Sequence, residues 1–223
     1  MFNKAVLRNL SYGVYVVSSF DKENNPKGCV ANSAMQLTYN TICVSLNHEN
    51  YTNNVIKENG IFSLSILPEK VKPNLIAVFG FTSSKDVNKF KDFEYENIDN
   101  APVLKDSLGY LVLKTVQAVE LETHTLFIAE IISGDNLNNE TPMTYKFYHE
   151  QLKGNAPKKA PTYIEPDELK QEQAKASPIT DKKMFRCKIC GYVYNGDITK
   201  EVPNFVCPVC KQPLSAFEEI ATV

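Results

Sequence analysis

Two Cys-x-x-Cys pairs near the C-terminus constrain this chain more than any other feature. The first pair is Cys187 and Cys190, the second is Cys207 and Cys210, and each pair follows an aromatic residue by two positions. Each pair presents two thiolates about one turn apart, so the four together predict a tetrahedral sulfur site. Soft sulfur ligands select iron or zinc and exclude magnesium and calcium. At this point the site is predicted and the metal stays open.

The same spacing allows two other interpretations. A structural zinc ribbon uses four cysteines in this way and has no redox role. Disulfide bonds are the third interpretation, and they require an oxidising compartment that nothing else in the chain indicates. A segment this small cannot bury much apolar surface, so we expect the metal to supply most of its folding free energy.

Composition limits the remaining possibilities. At 223 residues and 43% hydrophobic, the chain is long enough for one full-sized domain and one small domain. Its net charge of −2 and pI near 6.0 give no basic footprint for nucleic acid. No apolar run approaches the length of a membrane span, and the N-terminus lacks the apolar region of a signal peptide. The remaining cysteines, Cys29 and Cys43, lie in apolar stretches where we expect them to be buried, so cysteine usage favours a reducing cytoplasm.

Hydrophobic patterning predicts a mainly β first domain with short helices. Runs rich in β-branched and aromatic residues predict strands over residues 12–19, 28–33, 41–46, 61–67, 110–121 and 124–133. The last two form a predicted hairpin with a tight turn at 122–123. Helices are predicted at 51–59, between a cap at Asn50 or Thr52 and a stop at Gly60, and at 71–79. No βαβ rhythm occurs, and long antiparallel strands favour a closed barrel.

The chain changes character between the two predicted domains. Residues 154–183 are rich in proline, lysine, glutamate and glutamine and contain few apolar residues, which predicts a solvated linker. The predicted organisation is therefore a barrel at 1–153, a linker at 154–183 and a metal-binding domain at 184–223. A tether allows a metal centre to contact two sites in turn, and it raises the effective concentration of the metal centre at the first of these sites.

Several short motifs of the first domain recur together, in order, in one known family. They are GVYVVS at 13–18, ANSAMQ at 31–36, VSLN at 44–47, YT at 51–52, FGFTS at 79–83 and KF at 89–90, with LKGNAPKKAPTY at 152–163. Residues 1–163 thereby resemble the flavin reductase-like FMN-binding split barrel, and within it the flavoredoxin branch. The resemblance implies bound FMN and a homodimer with FMN near the interface.

The resemblance also implies which side chains hold FMN. The phosphate is assigned to Ala31, Asn32, Ser33, Asn47 and Thr52, with Ser83 and Lys89 closing over it. Tyr51 and Phe81 are assigned to the isoalloxazine ring. The alternative is that these residues only form turns, helix caps and core, where such residue types are common.

No catalytic side chain is expected, because hydride transfer to flavin N5 requires no acid–base pair. The histidines fit this view. His124 is predicted to be a structural residue of a strand, and His48 and His149 are predicted to lie in exposed polar loops.

The C-terminal domain resembles rubredoxin through Cys-x-x-Cys-Gly-Tyr-x-Tyr and Cys-Pro-x-Cys. Its shorter spacing between the pairs is similar to that of the domain appended to rubrerythrins. Lys211 stands where rubredoxins usually have glycine after the last cysteine, which would cost about 1 kcal/mol if the backbone there is left-handed. We expect Gly191 to allow a close turn at the metal, and Tyr192, Tyr194 and Phe205 to pack around it.

The order of the two domains resembles the high-molecular-weight rubredoxins, which relay electrons from NAD(P)H to flavodiiron proteins. This resemblance favours iron over zinc. A nicotinamide gives up two electrons as a hydride and a single FeS4 centre accepts one, so a flavin belongs between them. The sequence therefore predicts an NAD(P)H:rubredoxin oxidoreductase. The alternatives are a flavin reductase that releases reduced FMN, and a non-enzymatic zinc-ribbon binding protein.

Overall fold

The structure is a computed structural model that describes residues 6–7, 10–72, 74–152, 184–190, 193–195, 198, 201, 205–208 and 210–220. Contacts divide the chain into two compact units, Met1–Ile164 and Glu165–Val223. The linker predicted at 154–183 lies outside the described residues.

The first unit is mainly β, as the sequence predicts. Its strands are β1 Tyr15–Phe20, β2 Pro26–Ala31, β3 Ala34–Thr38, β4 Thr41–Asn47, β5 Ile61–Ile66, β6 Tyr95–Ile98, β7 Ala101–Leu104, β8 Gly109–Glu120 and β9 His124–Asn136. Its helices are α1 Tyr51–Asn59, α2 Leu75–Phe81 and α3 Tyr145–Glu150.

Seven of these strands form one antiparallel sheet in the order β2-β1-β5-β8-β9-β4-β3. The strands at its two edges, β2 and β3, are joined only by Asn32 and Ser33. A connection this short brings the two edges together at one corner, so the sheet curves into a barrel that is split between β2 and β3. The predicted split-barrel fold class is confirmed.

Two apolar clusters hold this unit together. One fills the barrel and includes Val17, Phe62 and Phe127, all fully buried. The other packs α2 and α3 against the outside of the sheet and includes Val16 and Phe79. Because successive side chains of a strand point to opposite faces, β1 is buried on both sides, which explains its continuous apolar run.

The long hairpin and the first helix form where the sequence predicts them. Strands β8 and β9 pair from Gly109 with Asn136 to Glu120 with Thr125, and two register shifts bend them around the barrel. Helix α1 is capped by Asn50, whose Oδ1 accepts from the Thr52 backbone N–H at 3.1 Å. It ends at Gly60, whose φ of 77° is left-handed and whose N–H donates to Ile56 O at 2.8 Å.

Other helices and strands lie at positions different from those predicted, or were not predicted from the sequence. The helix predicted at 71–79 is wrong in position, because α2 begins only after Pro73 and Asn74 and continues through Gly80 and Phe81. Strands β3, β6 and β7 and helix α3 were not predicted. Each has only four to six residues, which is too short for a clear hydrophobic period.

The second unit contains a small sheet. Strands β10 Met184–Cys187, β11 Val193–Asn195 and β12 Phe217–Ile220 pair in the order β11-β10-β12, and a 3-10 turn spans Leu214–Ala216. Across the residues described for both units, no helix is long and apolar enough to cross a membrane.

Candidate functional site

The four predicted cysteines meet at one point of the second unit. Their sulfur atoms lie within 4.8 Å of one another, with Cys187 Sγ 3.6 Å from Cys210 Sγ and Cys190 Sγ 3.5 Å from Cys207 Sγ. A tetrahedral metal with bonds of about 2.3 Å to sulfur requires sulfur–sulfur distances of about 3.8 Å. The four sulfurs are therefore clustered closely enough to hold one iron or zinc ion.

Backbone hydrogen bonds shape the second Cys-x-x-Cys turn. The N–H of Lys211 donates to Cys207 O at 2.8 Å, and the N–H of Cys207 donates to Gln212 O at 2.7 Å. The first pair begins at the end of β10, whose edge is paired with β12. Both cysteine pairs are therefore positioned by backbone contacts within the small unit.

The thiols influence one another. The Gln212 backbone N–H lowers the pKa of Cys210, but burial and the three other thiols raise it to about 12. Burial raises the pKa of Cys187, and the backbone N–H groups of Cys190 and Ile189 more than offset this, so it is lowered overall. Because a metal binds thiolates, its binding must release protons from this cluster.

The site has a buried side and an open side. Cys187 and Cys207 are 0% exposed, whereas Cys190 is exposed and Cys210 is half-buried. In the same unit Phe205 packs between Tyr194 and Phe217, with its ring centroid 5.5 Å from that of Tyr194 and 5.9 Å from that of Phe217. The predicted roles of Gly191 and Tyr192 fall on residues outside those described.

Lys211 has the left-handed backbone that its position predicts, with φ of 61°. We expect Lys211→Gly to stabilise the metal-binding unit by about 1 kcal/mol, because glycine adopts this conformation without strain. Thermal unfolding of the zinc-loaded chain measures the effect. Lys188→Gly is the matched control, since the φ of Lys188 is not positive. It is expected to leave stability unchanged or reduce it, and a stabilised control would refute the explanation.

The first unit has an open pocket of about 290 Å³ outside the barrel core. This volume lies near the lower end of small-molecule sites, which span about 300–1,000 Å³. The pocket is lined by Val14, by β2 and its end (Val30, Ala31, Asn32), β4 (Ser45, Leu46, Asn47), the start of α1 (Glu49, Asn50, Tyr51), α2 and its end (Ile76, Phe79, Gly80, Phe81, Thr82, Ser83), His124, and α3 (Tyr145, Tyr148).

Most of the predicted cofactor-binding residues line this pocket. They are Ala31, Asn32, Asn47, Tyr51, Phe81 and Ser83. Ser33, Thr52 and Lys89 do not line it. Ser33 Oγ donates to Asn32 Oδ1 at 3.2 Å, and Thr52 is fully buried against the Cys29 thiol, whose pKa is raised by burial and partly lowered by Lys89 and Thr52. The roles assigned to these nine residues stay predictions.

The donor chemistry of the pocket fits a flavin phosphate bound by uncharged groups. Among the described lining residues none is lysine or arginine, and the available donors are side-chain amides, hydroxyls and the first turn of α1. The tyrosine and phenylalanine rings of α1, α2 and α3 that line the pocket supply the apolar surface that an isoalloxazine ring requires.

Lys89 is buried beside the pocket and does not face it. Its Nζ donates to Gly28 O at 2.9 Å and to Phe79 O at 3.0 Å, and the residue is 3% exposed. Ser84 Oγ donates to the same Gly28 carbonyl at 2.8 Å and accepts from the Gly28 N–H. Burial lowers the pKa of Lys89. Together Lys89 and Ser84 attach the loop after α2, which forms one wall of the pocket, to β2.

His124 belongs to the pocket, which sequence reasoning missed. It pairs with Asn47 across β9 and β4, and its Nδ1 lies 2.7 Å from Thr123 Oγ1. Burial, with a smaller contribution from His48, lowers its pKa. Among the described residues its buried Nε2 has no hydrogen-bond partner. The signal available in the sequence was its place at the start of β9, opposite the end of β4.

The other two histidines were predicted to be exposed, and this is wrong. Both are half-buried. His48 lies 3.0 Å from Glu120, which also pairs with Lys57 at 2.8 Å. His149 packs on the Tyr145 ring with centroids 4.3 Å apart.

Helix α3 adds a wall that the sequence did not reveal. Tyr145 and Tyr148 line the pocket, and their rings stack 6.0 Å apart at 22°. Thr144 caps the helix by accepting from the Phe147 N–H at 3.1 Å. A capping threonine ahead of closely spaced aromatics was the one available signal for this helix.

Comparison with known proteins divides the chain in the same way. Residues 7–154 match the flavin reductase like domain, and residues 185–218 match the rubrerythrin, rubredoxin-like domain. A high molecular weight rubredoxin of Moorella thermoacetica is 34% identical over 231 residues, covering 96% of this chain and 98% of the relative. A ferric-chelate reductase (NAD(P)H) of Archaeoglobus fulgidus is 35% identical over 162 residues, covering 70% of this chain and 94% of the relative.

Solved structures are similar to the barrel. The flavoredoxin from Methanosarcina acetivorans superposes with a TM-score of 0.52 at 23% sequence identity, covering 56% of this chain and 69% of that chain. At this identity the likeness supports the fold of the first unit.

Proposed function

This chain belongs to the flavin reductase-like family and ends in a rubredoxin-like domain, and we propose that it carries electrons from NAD(P)H through FMN to iron at the four cysteines. It is an oxidoreductase, so the non-enzymatic interpretation is set aside. The observation that carries the proposal is that one chain combines a cluster of four cysteine sulfurs with a flavin reductase barrel.

In this proposal the pocket binds and orients, and the cysteines hold the electron acceptor. Bound FMN supplies the conversion of a two-electron hydride into single electrons. Asn32, Asn47 and Ser83 would donate to its phosphate, and Tyr51 and Phe81 would pack against its ring. His124 offers its unpaired Nε2 to a ligand in the pocket. Cys190 and Cys210 form the open side, where electrons leave the metal centre for a partner.

We also propose an electron acceptor, a cellular location and an oligomeric state for this chain. The acceptor is a separate redox protein, for which the flavodiiron proteins are our candidate. The chain is a cytoplasmic homodimer. Strand β3 supports a second copy as a partner, because it lies at a sheet edge and exposes Met35 and Leu37, followed by Tyr39 at 89% exposure. Met35→Glu is the variant with which light scattering tests this interface.

An anaerobic spectrum of the chain purified from its native source tests the relay. We expect overlapping flavin and ferric-thiolate absorption, and both should bleach when NADH or NADPH is added. The nucleotide that bleaches them faster is the preferred donor. A flavin that bleaches while the metal is colourless would contradict the relay, and a preparation without flavin would contradict the assignment of the pocket.

The alternative is a flavin reductase that releases reduced FMN to a partner. It is favoured by the likeness to the ferric-chelate reductase, a relative that is matched over 162 residues, which are 70% of this chain and 94% of that relative. Flavin content after desalting separates the two. Stoichiometric flavin supports the relay, and substoichiometric flavin with full metal content supports release.

A further inference from the structure

A buried hydrogen-bond network joins helix α1 to the strands β4 and β9. Asn53, in α1, and Thr125, in β9, are both 0% exposed. The side-chain amide of Asn53 donates to the Leu46 carbonyl at 3.0 Å and to Thr125 Oγ1 at 3.0 Å. Leu46 and Thr125 are cross-strand partners, so one amide bonds both strands at the same level of the sheet. We call Asn53, Leu46 and Thr125 the α1 anchor.

The α1 anchor continues to a charged group at the surface. Thr125 Oγ1 donates to Glu120 Oε2 at 3.2 Å, and Glu120 Oε1 lies 2.8 Å from Lys57 Nζ. The hydrogen bond from Lys57 lowers the pKa of Glu120, which keeps the carboxylate ionised as an acceptor. Because Lys57 follows Asn53 by four positions, the two side chains lie on the same face of α1. This face is therefore attached to the strands twice, by a buried amide and by an ion pair.

Apolar packing alone would already hold α1 on the barrel. Ile56 is 1% exposed and belongs to the cluster that fills the barrel. A buried amide at position 53 must instead be desolvated, and it is tolerated only because its partners are correctly placed. Hydrogen bonds are directional, whereas apolar contacts are not. The α1 anchor therefore gives the helix one orientation on the strands, which apolar contacts would leave less defined.

The α1 anchor lies directly behind the pocket. Each of its members is one or two positions away from a residue that lines the pocket, namely Tyr51 in α1, Asn47 in β4 and His124 in β9. Asn53 and Thr125 do not line the pocket themselves. Three segments that supply pocket residues are thus fixed to one another at a single buried amide.

We propose that the α1 anchor positions the walls of the pocket for the flavin, and that Asn53 decides whether the chain retains its flavin. The inference rests on the proposed function and adds the residues that hold the pocket in shape. Helix α1 has nine residues, which is too short to be stable by itself, so its first turn depends on tertiary contacts. A ligand that meets walls already in place avoids the cost of ordering them on binding.

Variants that remove the hydrogen bonds but keep similar shapes test the α1 anchor in the full, metal-loaded chain. Flavin is removed from each purified chain, and the Kd for added FMN is measured by flavin fluorescence. We expect the Kd to rise about tenfold in Asn53→Leu and about threefold in Thr125→Val. Asn53→Leu should also lose flavin on desalting while it keeps its metal. Thr125→Ser, which keeps the hydroxyl, should stay within about twofold of the unaltered chain.

The double variant tests whether the two residues act as one unit. Independent effects of Asn53→Leu and Thr125→Val would multiply to about thirtyfold, whereas residues that share a hydrogen bond give a smaller combined effect. We expect the Kd of the double variant to be close to that of Asn53→Leu alone. A full multiplication would overturn the α1 anchor as a unit. Thr125→Val and Thr125→Ser keep the test decisive if Asn53→Leu does not fold.

Asn59→Leu is the matched control, because Asn59 lies at the other end of the same helix. Its amide donates to Ser19 Oγ at 3.0 Å and to Phe20 O at 3.2 Å, and it does not line the pocket. We expect this variant to lower the melting temperature while the Kd for FMN stays within about twofold. An equal loss of affinity in Asn59→Leu would overturn the proposal, since the stability of α1 would then set the affinity.

A purely structural role gives a different result. If Asn53→Leu and Thr125→Val lowered the melting temperature and left the Kd for FMN unchanged, the α1 anchor would only stabilise the barrel, and the proposal would be wrong. Binding of FMN requires neither NAD(P)H nor electron transfer, so the result is separate from that of the relay. An unaltered chain that binds no FMN would contradict the assignment of the pocket and the α1 anchor with it. Equal binding by the unaltered chain and the variants would contradict the α1 anchor alone.

Discussion

Replacing Cys207 with serine is expected to abolish the metal centre while leaving the flavin pocket functional. Cys207 is 0% exposed, and its sulfur lies 3.5 Å from that of Cys190, so no other described side chain can take its place. A serine hydroxyl is a hard, neutral ligand that iron and zinc sites of this kind do not use. Structural metal binding contributes on the order of 10 kcal/mol, so the small unit is expected to unfold with the loss of its metal.

The measurement separates the two units of the chain. Metal content and ferric-thiolate absorption should disappear in Cys207→Ser. Transfer of electrons to a protein acceptor should fall at least about a hundredfold, because the proposed exit for single electrons is removed. Bleaching of the flavin by NAD(P)H should stay within about twofold, since the pocket lies wholly in the first unit.

Cys43→Ser is the matched control for this variant. Cys43 is a buried cysteine of β4 that belongs to neither the pocket nor the metal site. It should retain both absorption bands. If Cys207→Ser retained transfer to the acceptor, electrons would be leaving directly from the flavin, and the metal centre would not lie on the path.

The elements that could be predicted from sequence are those whose signals are local. The four cysteines carry their own spacing, and α1 carries both an asparagine cap and a glycine stop. The long hairpin carries two runs rich in β-branched and aromatic residues on either side of a short turn at 122–123. In each case the residues that decide the structure lie within a few positions of one another, so no knowledge of the fold was needed.

The pocket could be predicted only in part, because its walls come from segments that are distant in sequence. Resemblance indicated Asn32, Asn47 and Phe81, which line it. His124 and the tyrosines of α3 were missed, since their places depend on the pairing of β9 with β4 and on the packing of α3 against the sheet. The spacing of residues within one segment gives no information about such contacts between segments.

Lys89 shows the difference between a motif and its geometry. The resemblance assigns it to the FMN phosphate, whereas its Nζ here donates to the carbonyls of Gly28 and Phe79. The Phe79 carbonyl lies near the C-terminal end of α2, where a cation is favoured by the helix dipole. The geometry makes Lys89 a positioning residue for the wall formed by Phe81, Thr82 and Ser83.

Lys89→Met is therefore expected to weaken flavin binding and stability together. It keeps most of the aliphatic stem and removes a donor from two carbonyls, one of which, Gly28 O, keeps its bond from Ser84. Leaving the other buried carbonyl without its donor costs about 1–3 kcal/mol, partly offset because a desolvated ammonium is also removed. Release of the wall should raise the Kd for flavin about tenfold, equivalent to about 1.4 kcal/mol.

Comparing FMN with riboflavin distinguishes positioning from direct contact. If Lys89 only positions the wall, Lys89→Met should weaken the binding of both flavins by the same factor, because both contact the wall. If Lys89 reaches the phosphate, FMN binding should fall and riboflavin binding should not. Lys91→Met, an exposed lysine two residues further on, should change neither affinity nor melting temperature. A loss restricted to FMN would thus reject the positioning role and restore the assignment that the resemblance implies.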